Sequence, residues 1–187
     1  MCERERLALR VSAECEPSTE GIPRATLSQK AWGRRHLGRA LAAARQRFPT
    51  IAAARAAGYE FLPRSYAVQK DLDFWHLTNN AYQRDRDYID PERPESLMYW
   101  NDPDGRPVLI AYVYRLPRWV ENPTEPGPLL AWHLHDNGAG RPGRRKMVHL
   151  WLLPALEEGF APEMPLAALS QRYGTPEDGG SGAGVTG

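Results

Sequence analysis

Cysteine is nearly absent. Cys2 and Cys15 are the only two, both in the polar N-terminal stretch. They could bridge, but they read better as free thiols in a reducing compartment. The rest of the chain has no thiol for nucleophilic catalysis. Long apolar runs are missing as well. The opening MCERERLALRVSAECEPSTEG alternates charge and never offers the apolar stretch of roughly 7–15 residues that a leader needs. No signal peptide and no membrane span are expected, and the cytoplasm is the natural location. Lysine is scarce: of 24 basic residues only Lys30, Lys70 and Lys146 are not arginine. A net charge of +1 argues neither for a polyanion partner nor against one. There is no G-x-S-x-G elbow. GAGRPGRRK (138–146) lacks the spacing and the following helix of a phosphate loop. No helix-turn-helix, zinc-finger or RNP pattern occurs, so nucleic acid is not the expected partner.

What is present fits one folded body. A chain of 187 residues is long enough for a single core. Residues 1–25 and 174–187 are polar or Gly-rich and are expected to be a mobile segment and a flexible tail around a domain at 26–173. In AWGRRHLGRALAAARQRF, Leu37, Leu41, Ala44 and Phe48 recur at helical spacing, which leaves His36 among exposed arginines. Pro49 interrupts that helix. Thr50 can cap a second one, IAAARAAG, that ends at Gly58. Afterwards come strands: SLMYW (96–100), PVLIAYVYRL (107–116) after the turn NDPDGR, LLAWHLHD (129–136) and KMVHLWLL (146–153). The layout is α+β, with N-terminal helices packed on an antiparallel β-sheet.

Three of the five histidines, His133, His135 and His149, stand inside the last two apolar runs. Alternation along a strand puts His133 and His135 on one face, and Met147, His149 and Trp151 on one face. A hairpin register pairing 133 with 149 and 135 with 147 would bring His133 and His149 opposite each other, with β-carbons about 4.5–5.5 Å apart. Convergent imidazoles suit a divalent transition metal such as zinc, copper or iron, and three of them leave a coordination position open. His76, in DLDFWHLTNN, is a candidate fourth ligand or proton-transfer group. Asp136 could orient an imidazole. Arg141, Arg144 and Arg145 could draw a small anionic substrate to the rim.

From residue 50 onward the order of features resembles a family of uncharacterised bacterial proteins. The matching segments are ARAAGY (54–59), WHLTN (75–79), DPERPESLMY (90–99), VLIAYVY (108–114), WHLH (132–135), MVHLWL (147–152) and GFAPEMP (159–165). The resemblance implies that His76, His133, His135 and His149 are the motif histidines. It implies no activity. This chain departs from it in having Val113 where many members carry Glu, and no Cys after the W-H-x-H segment.

Two further groups compete for attention. Asp90, Glu92 and Glu95 in DPERPESLMY read as a capped turn with Arg93 paired locally; Asp90 or Glu95 as acid or base is the sharper reading. Between Gly21 and Gly58 there is no acidic residue, so the helices form a basic arm. The expectation is a metal-binding protein, whether or not it is an enzyme. The alternative is a non-catalytic module whose basic arm docks an anionic partner. The sequence leaves the oligomeric state open.

Overall fold

The computed structural model describes residues 21–61, 74–136 and 142–174, with only the backbone described at Gly21, Phe74, His135, Asp136, Pro142, Gly143 and Arg144. The segments 1–20 and 175–187, and the Arg141 position, lie outside the described residues.

Helices come first, and local capping explains their ends. A short helix α1 (Gly21–Arg24) leads into α2 (Leu27–Arg47). Thr26 and Gln29 form a capping box: Thr26 Oγ1 accepts the Gln29 N–H at 3.2 Å, and Gln29 Oε1 accepts the Thr26 N–H at 2.9 Å. Thr50 Oγ1 accepts the Ala53 N–H and starts α3 (Ile51–Ala56). Gly58 follows at φ 86°, the left-handed conformation that ends a helix without Cβ strain.

The strands are β1 (Glu60–Phe61), β2 (Phe74–Thr78), β3 (Ser96–Asn101), β4 (Pro107–Pro117), β5 (His133–Asp136) and β6 (Pro142–Trp151). They form one antiparallel sheet in the order β1-β2-β3-β4-β6-β5. Asp102 closes the β3–β4 hairpin, its carboxylate accepting the N–H groups of Asp104 and Arg106. Two short helices end the described chain, α4 (Leu156–Gly159) and α5 (Leu166–Tyr173). The α+β layout with helices ahead of the sheet is therefore observed. The sequence reading did not anticipate β1, β2, α4 or α5. None of the described helices is long and apolar enough to cross a membrane.

Each sheet face has its own core. One face carries Leu77, Leu97, Tyr99, Tyr112, Tyr114, Val148 and Leu150 against Leu37, Ala40, Ala44 and Phe48 of α2 and its end. Burying each large side chain there stabilises the fold by roughly 1.5–3 kcal/mol. The opposite face groups Met98, Trp100, Ala111, Val113 and Trp151 with Leu169 of α5. Gly33 lets α2 come close to Leu129, Leu156 and Phe160; a Cβ there would stand 2.9 Å from Leu129 Cδ1.

His36 corrects an expectation. It is buried, not exposed. The inward stripe of α2 is Gly33, His36, Leu37, Ala40 and Ala44, so the helix is turned toward His36 relative to a stripe drawn through Leu37 and Leu41. The ring stacks on Trp32 at 4.5 Å between centroids, and its Nε2 is 2.8 Å from the Tyr114 hydroxyl. Burial first, then the charge of Arg39, lowers its pKa to about 4, against a smaller opposing pull from Asp90.

The sign follows from which state takes up the proton first. As pH falls below about 6.5 the unfolded chain protonates His36 while the folded chain does not. Stability from this site is thus complete above pH 6.5 and is lost toward pH 4. Urea unfolding measured across that range should show a fall of up to about 3 kcal/mol from this residue. His36→Leu should be less stable at pH 7 and show a flatter slope below it. Equal slopes in the two proteins would remove His36 from the acid response.

Candidate functional site

His76, His133 and His149 lie on the sheet face away from α2. In β2, His76 is opposite Met98 of β3, which is opposite Ala111 of β4, which is opposite Trp151 of β6. One row over, Val113 is opposite His149. One row further, Arg115 is opposite Met147, and Met147 is opposite His133 of β5. The β4–β6 register has no irregularity, so alternation keeps Arg115, Met147, His149 and Trp151 on one face with Val113.

The observed hairpin register differs from the expected one. His133 pairs with Met147, not with His149. The slip is two residues, and an even slip keeps every side chain on its face. His133 and His149 become diagonal neighbours. Their rings stack at 5.3 Å between centroids with planes 20° apart. Trp151 stacks on His149 at 5.1 Å and 13°. His76 comes within 6.5 Å of His149, tilted by 51°. Three imidazoles from β2, β5 and β6 thus share one patch, with His149 between the others.

His133 is held in a defined tautomer. Its Nδ1 lies 3.1 Å from the Ala131 carbonyl oxygen. A carbonyl can only accept, so Nδ1–H donates and Nε2 carries the lone pair. Burial lowers the His133 pKa, the bond to Ala131 opposing it, which favours the neutral ring.

The ring planes matter for chemistry. An ion bound by an imidazole lies in that ring's plane along its lone pair. Rings stacked nearly parallel do not aim two lone pairs at one point. Among the described residues no group of three or more His, Cys, Asp or Glu side chains is arranged to hold a metal ion. His135 and Asp136 belong to β5, but their side chains lie outside the description. The β5–β6 ladder shifts between Leu134 and Asp136, so simple alternation from His133 to His135 does not carry across.

The acidic candidates separate. Asp90 Oδ2 accepts from Arg93 Nε at 2.7 Å, and Oδ1 accepts the Glu92 N–H. Burial alone would raise its pKa, yet these bonds together hold it below the usual carboxylate range. Glu92 pairs with Arg39 at 2.8 Å and takes Arg47 on its carbonyl. Both belong to the structural turn. Glu95 is different. It is fully buried; Oε2 accepts the Arg115 backbone N–H at 3.3 Å, and Oε1 has no hydrogen-bond partner. Burial raises its pKa to about 9.

Arg145 of the expected anion-binding trio is half-buried, with Nη1 buried and without a hydrogen bond. Arg144 contributes only its β6 backbone to the description. Arg115 was missed by sequence reasoning. Its Nε is also buried without a partner, and burial followed by the nearby charge of Arg145 lowers its pKa to about 10, Glu95 opposing. The available signal was an arginine two residues after Val113 on the inward side of an apolar strand. No family model matches the chain, and no match to it is found among curated proteins or solved structures. The family resemblance therefore rests on its motifs alone.

Glu95 provides a direct check of this electrostatic picture. Its folded-state pKa is raised, so the unfolded chain ionises first as pH passes about 4.5. Stability is complete below that pH and falls progressively toward pH 9. Glu95→Gln removes the ionisable group and keeps an oxygen for the Arg115 N–H. At pH 7 the variant should be more stable than the parent by up to about 3 kcal/mol. The gap should close near pH 4. A variant less stable at pH 7 would mean that the carboxylate is ionised and paired in the folded protein.

Proposed function

We propose that the histidine face binds a divalent transition metal, zinc, copper or iron, through His76, His133 and His149, with His135 as a further donor and Asp136 as its orienting partner. The observation that carries this reading is the meeting of three imidazoles from three separate strands, 5.3 and 6.5 Å apart at their ring centroids. The lone pair on His133 Nε2 supports it, because a neutral imidazole is the ligand form. The fit requires His133 or His149 to turn out of the stack about χ2, a soft torsion for histidine. A metal there would act as a Lewis acid on a small anionic substrate. His76 would serve as ligand or as proton carrier.

The stacking of His149 between His133 and Trp151 favours a second reading. In it the histidines pack as aromatic plates, and exposed Arg34, Arg35 and Arg45 of α2 dock an anionic partner.

Metal analysis of untagged protein separates the two. The first reading expects about one equivalent of metal retained through dialysis and lost in a His133→Ala/His149→Ala double variant that still unfolds cooperatively. Titrated Cu²⁺ should quench the emission of Trp151, seen as a difference from Trp151→Phe. His76→Ala should lower occupancy with the fold intact. Absence of retained metal and of Cu²⁺ quenching, alongside salt-sensitive binding of an anionic polymer, would support the second reading and end the first.

A further inference from the structure

We propose that Arg115 and Arg145 form a binding site for a phosphate group beside the histidines. The register fixes their relation. Arg115 of β4 is opposite Met147 of β6, and Arg145 of β6 is opposite Pro117 of β4. Two residues apart along an unbroken ladder, they are diagonal neighbours on one face. His133 of β5 stands on the other side of Met147.

Both guanidinium groups have a buried N–H without a partner: Nε of Arg115 and Nη1 of Arg145. Neither arginine is in a salt bridge among the described residues. By contrast, Arg39, Arg93 and Arg106 each pair with a carboxylate at 2.9 Å or less. Two like charges side by side with desolvated donors are unfavourable unless a counter-charge completes them. Among the described residues the acid that acts on Arg115 is Glu95, whose Oε2 accepts the backbone N–H of that residue. Burial of its carboxyl pushes the pKa up to about 9, which disfavours the charged form. Among the described residues the chain therefore supplies a paired cationic fork and no ion-pair partner for it.

The chemistry of the fork selects the ligand class. Each guanidinium presents several planar N–H donors, and two of them together match an anion with several oxygens and more than one negative charge. A phosphate group meets that demand; a single carboxylate has only two oxygens and one charge. This inference deepens the metal reading by naming the anion, but it needs no metal, so the two can fail separately.

The test uses the full chain after chelator treatment. Calorimetric titration with inorganic phosphate and with glycerol phosphate is compared with acetate and chloride at matched ionic strength. Phosphate should bind and raise the unfolding temperature, while acetate and chloride should do neither. Arg145→Gln, a change at a half-buried position, should weaken phosphate binding about tenfold or more. Arg115→Lys keeps the charge but loses the fork and should weaken it comparably; if that variant fails to fold, Arg145→Gln decides alone. Binding of both phosphates assigns the site to phosphate monoesters; binding of the inorganic ion alone assigns it to free phosphate. Phosphate binding kept in His133→Ala/His149→Ala supports the inference even where metal is never retained. Equal responses to phosphate and chloride, phosphate affinity unchanged in Arg145→Gln, or binding that appears only when zinc is added would each overturn it.

Discussion

The unbroken antiparallel ladder between β4 and β6, from Ala111 opposite Trp151 to Pro117 opposite Arg145, sets the address of nearly every important side chain. Because the strand period is two, it sends Tyr112, Tyr114, Val148 and Leu150 toward α2. It sends Val113, Arg115, Met147, His149 and Trp151 to the other side. A slip of one residue would put guanidinium groups under the helices and tyrosines beside the histidines. The core therefore enforces the register, and the register delivers the site. The site inherits its geometry from the packing of large aromatic residues on the opposite face.

Polar groups on the helix side are mostly answered from within the chain. Tyr59 donates to the Pro94 carbonyl at 2.7 Å, Tyr99 to the Phe48 carbonyl at 3.0 Å, and the Tyr114 hydroxyl meets His36. The Tyr99 and Tyr114 bonds tie α2 and its end to the sheet, and the Tyr59 bond ties the residue before β1 to the turn before β3. Tyr112 is an exception, with a hydroxyl that has no hydrogen-bond partner. Trp100 and Trp132 also carry a buried N–H without a partner. These are neutral groups, and an unmet neutral donor costs on the order of 1–3 kcal/mol. The guanidinium groups of Arg115 and Arg145 carry full charge, for which the cost is larger. Charge is what separates the arginine pair on the histidine face from ordinary packing defects.

Much of the fold was legible because local chemistry announced it. Thr50 and Gly58 bracket α3, and Asp102 through Gly105 mark the β3–β4 turn. Other elements were hidden for physical reasons. Five-residue β2 places His76 between Trp75 and Leu77, so its alternation is masked by the run of bulky residues Phe74 to Leu77 that stops just short of Asn79. The inward side of α2 uses Gly33, His36 and Ala40, which a count of large apolar residues passes over. The hairpin register was not readable from the strands, since apolar alternation accepts any even slip. That same tolerance is why His133 and His149 meet although the expected pairing was wrong by two. Arg115 escaped notice because a charged residue near a strand end reads as solvent-facing until its neighbours are placed.

The stacked rings bear on how firmly the histidine patch is set. Offset aromatic pairs contribute about 0.5–1.5 kcal/mol beyond their burial. An imidazole turned about χ2 gives up that stacking contact, and the torsion itself is broad. In His133 the Nδ1–H is committed to the Ala131 carbonyl, and a large rotation would break that bond. His149 lies between two partners, and turning it disturbs both the His133 and the Trp151 stacks. Binding of divalent zinc to a structural site contributes on the order of 10 kcal/mol or more. Two lost stacks are small beside that. The ring stacking is thus the less strongly held arrangement. The positions of their backbones, locked by the β4–β6 and β5–β6 ladders, are the strongly held one. Substitutions that move the strands should therefore damage the site more than substitutions that merely unstack a ring.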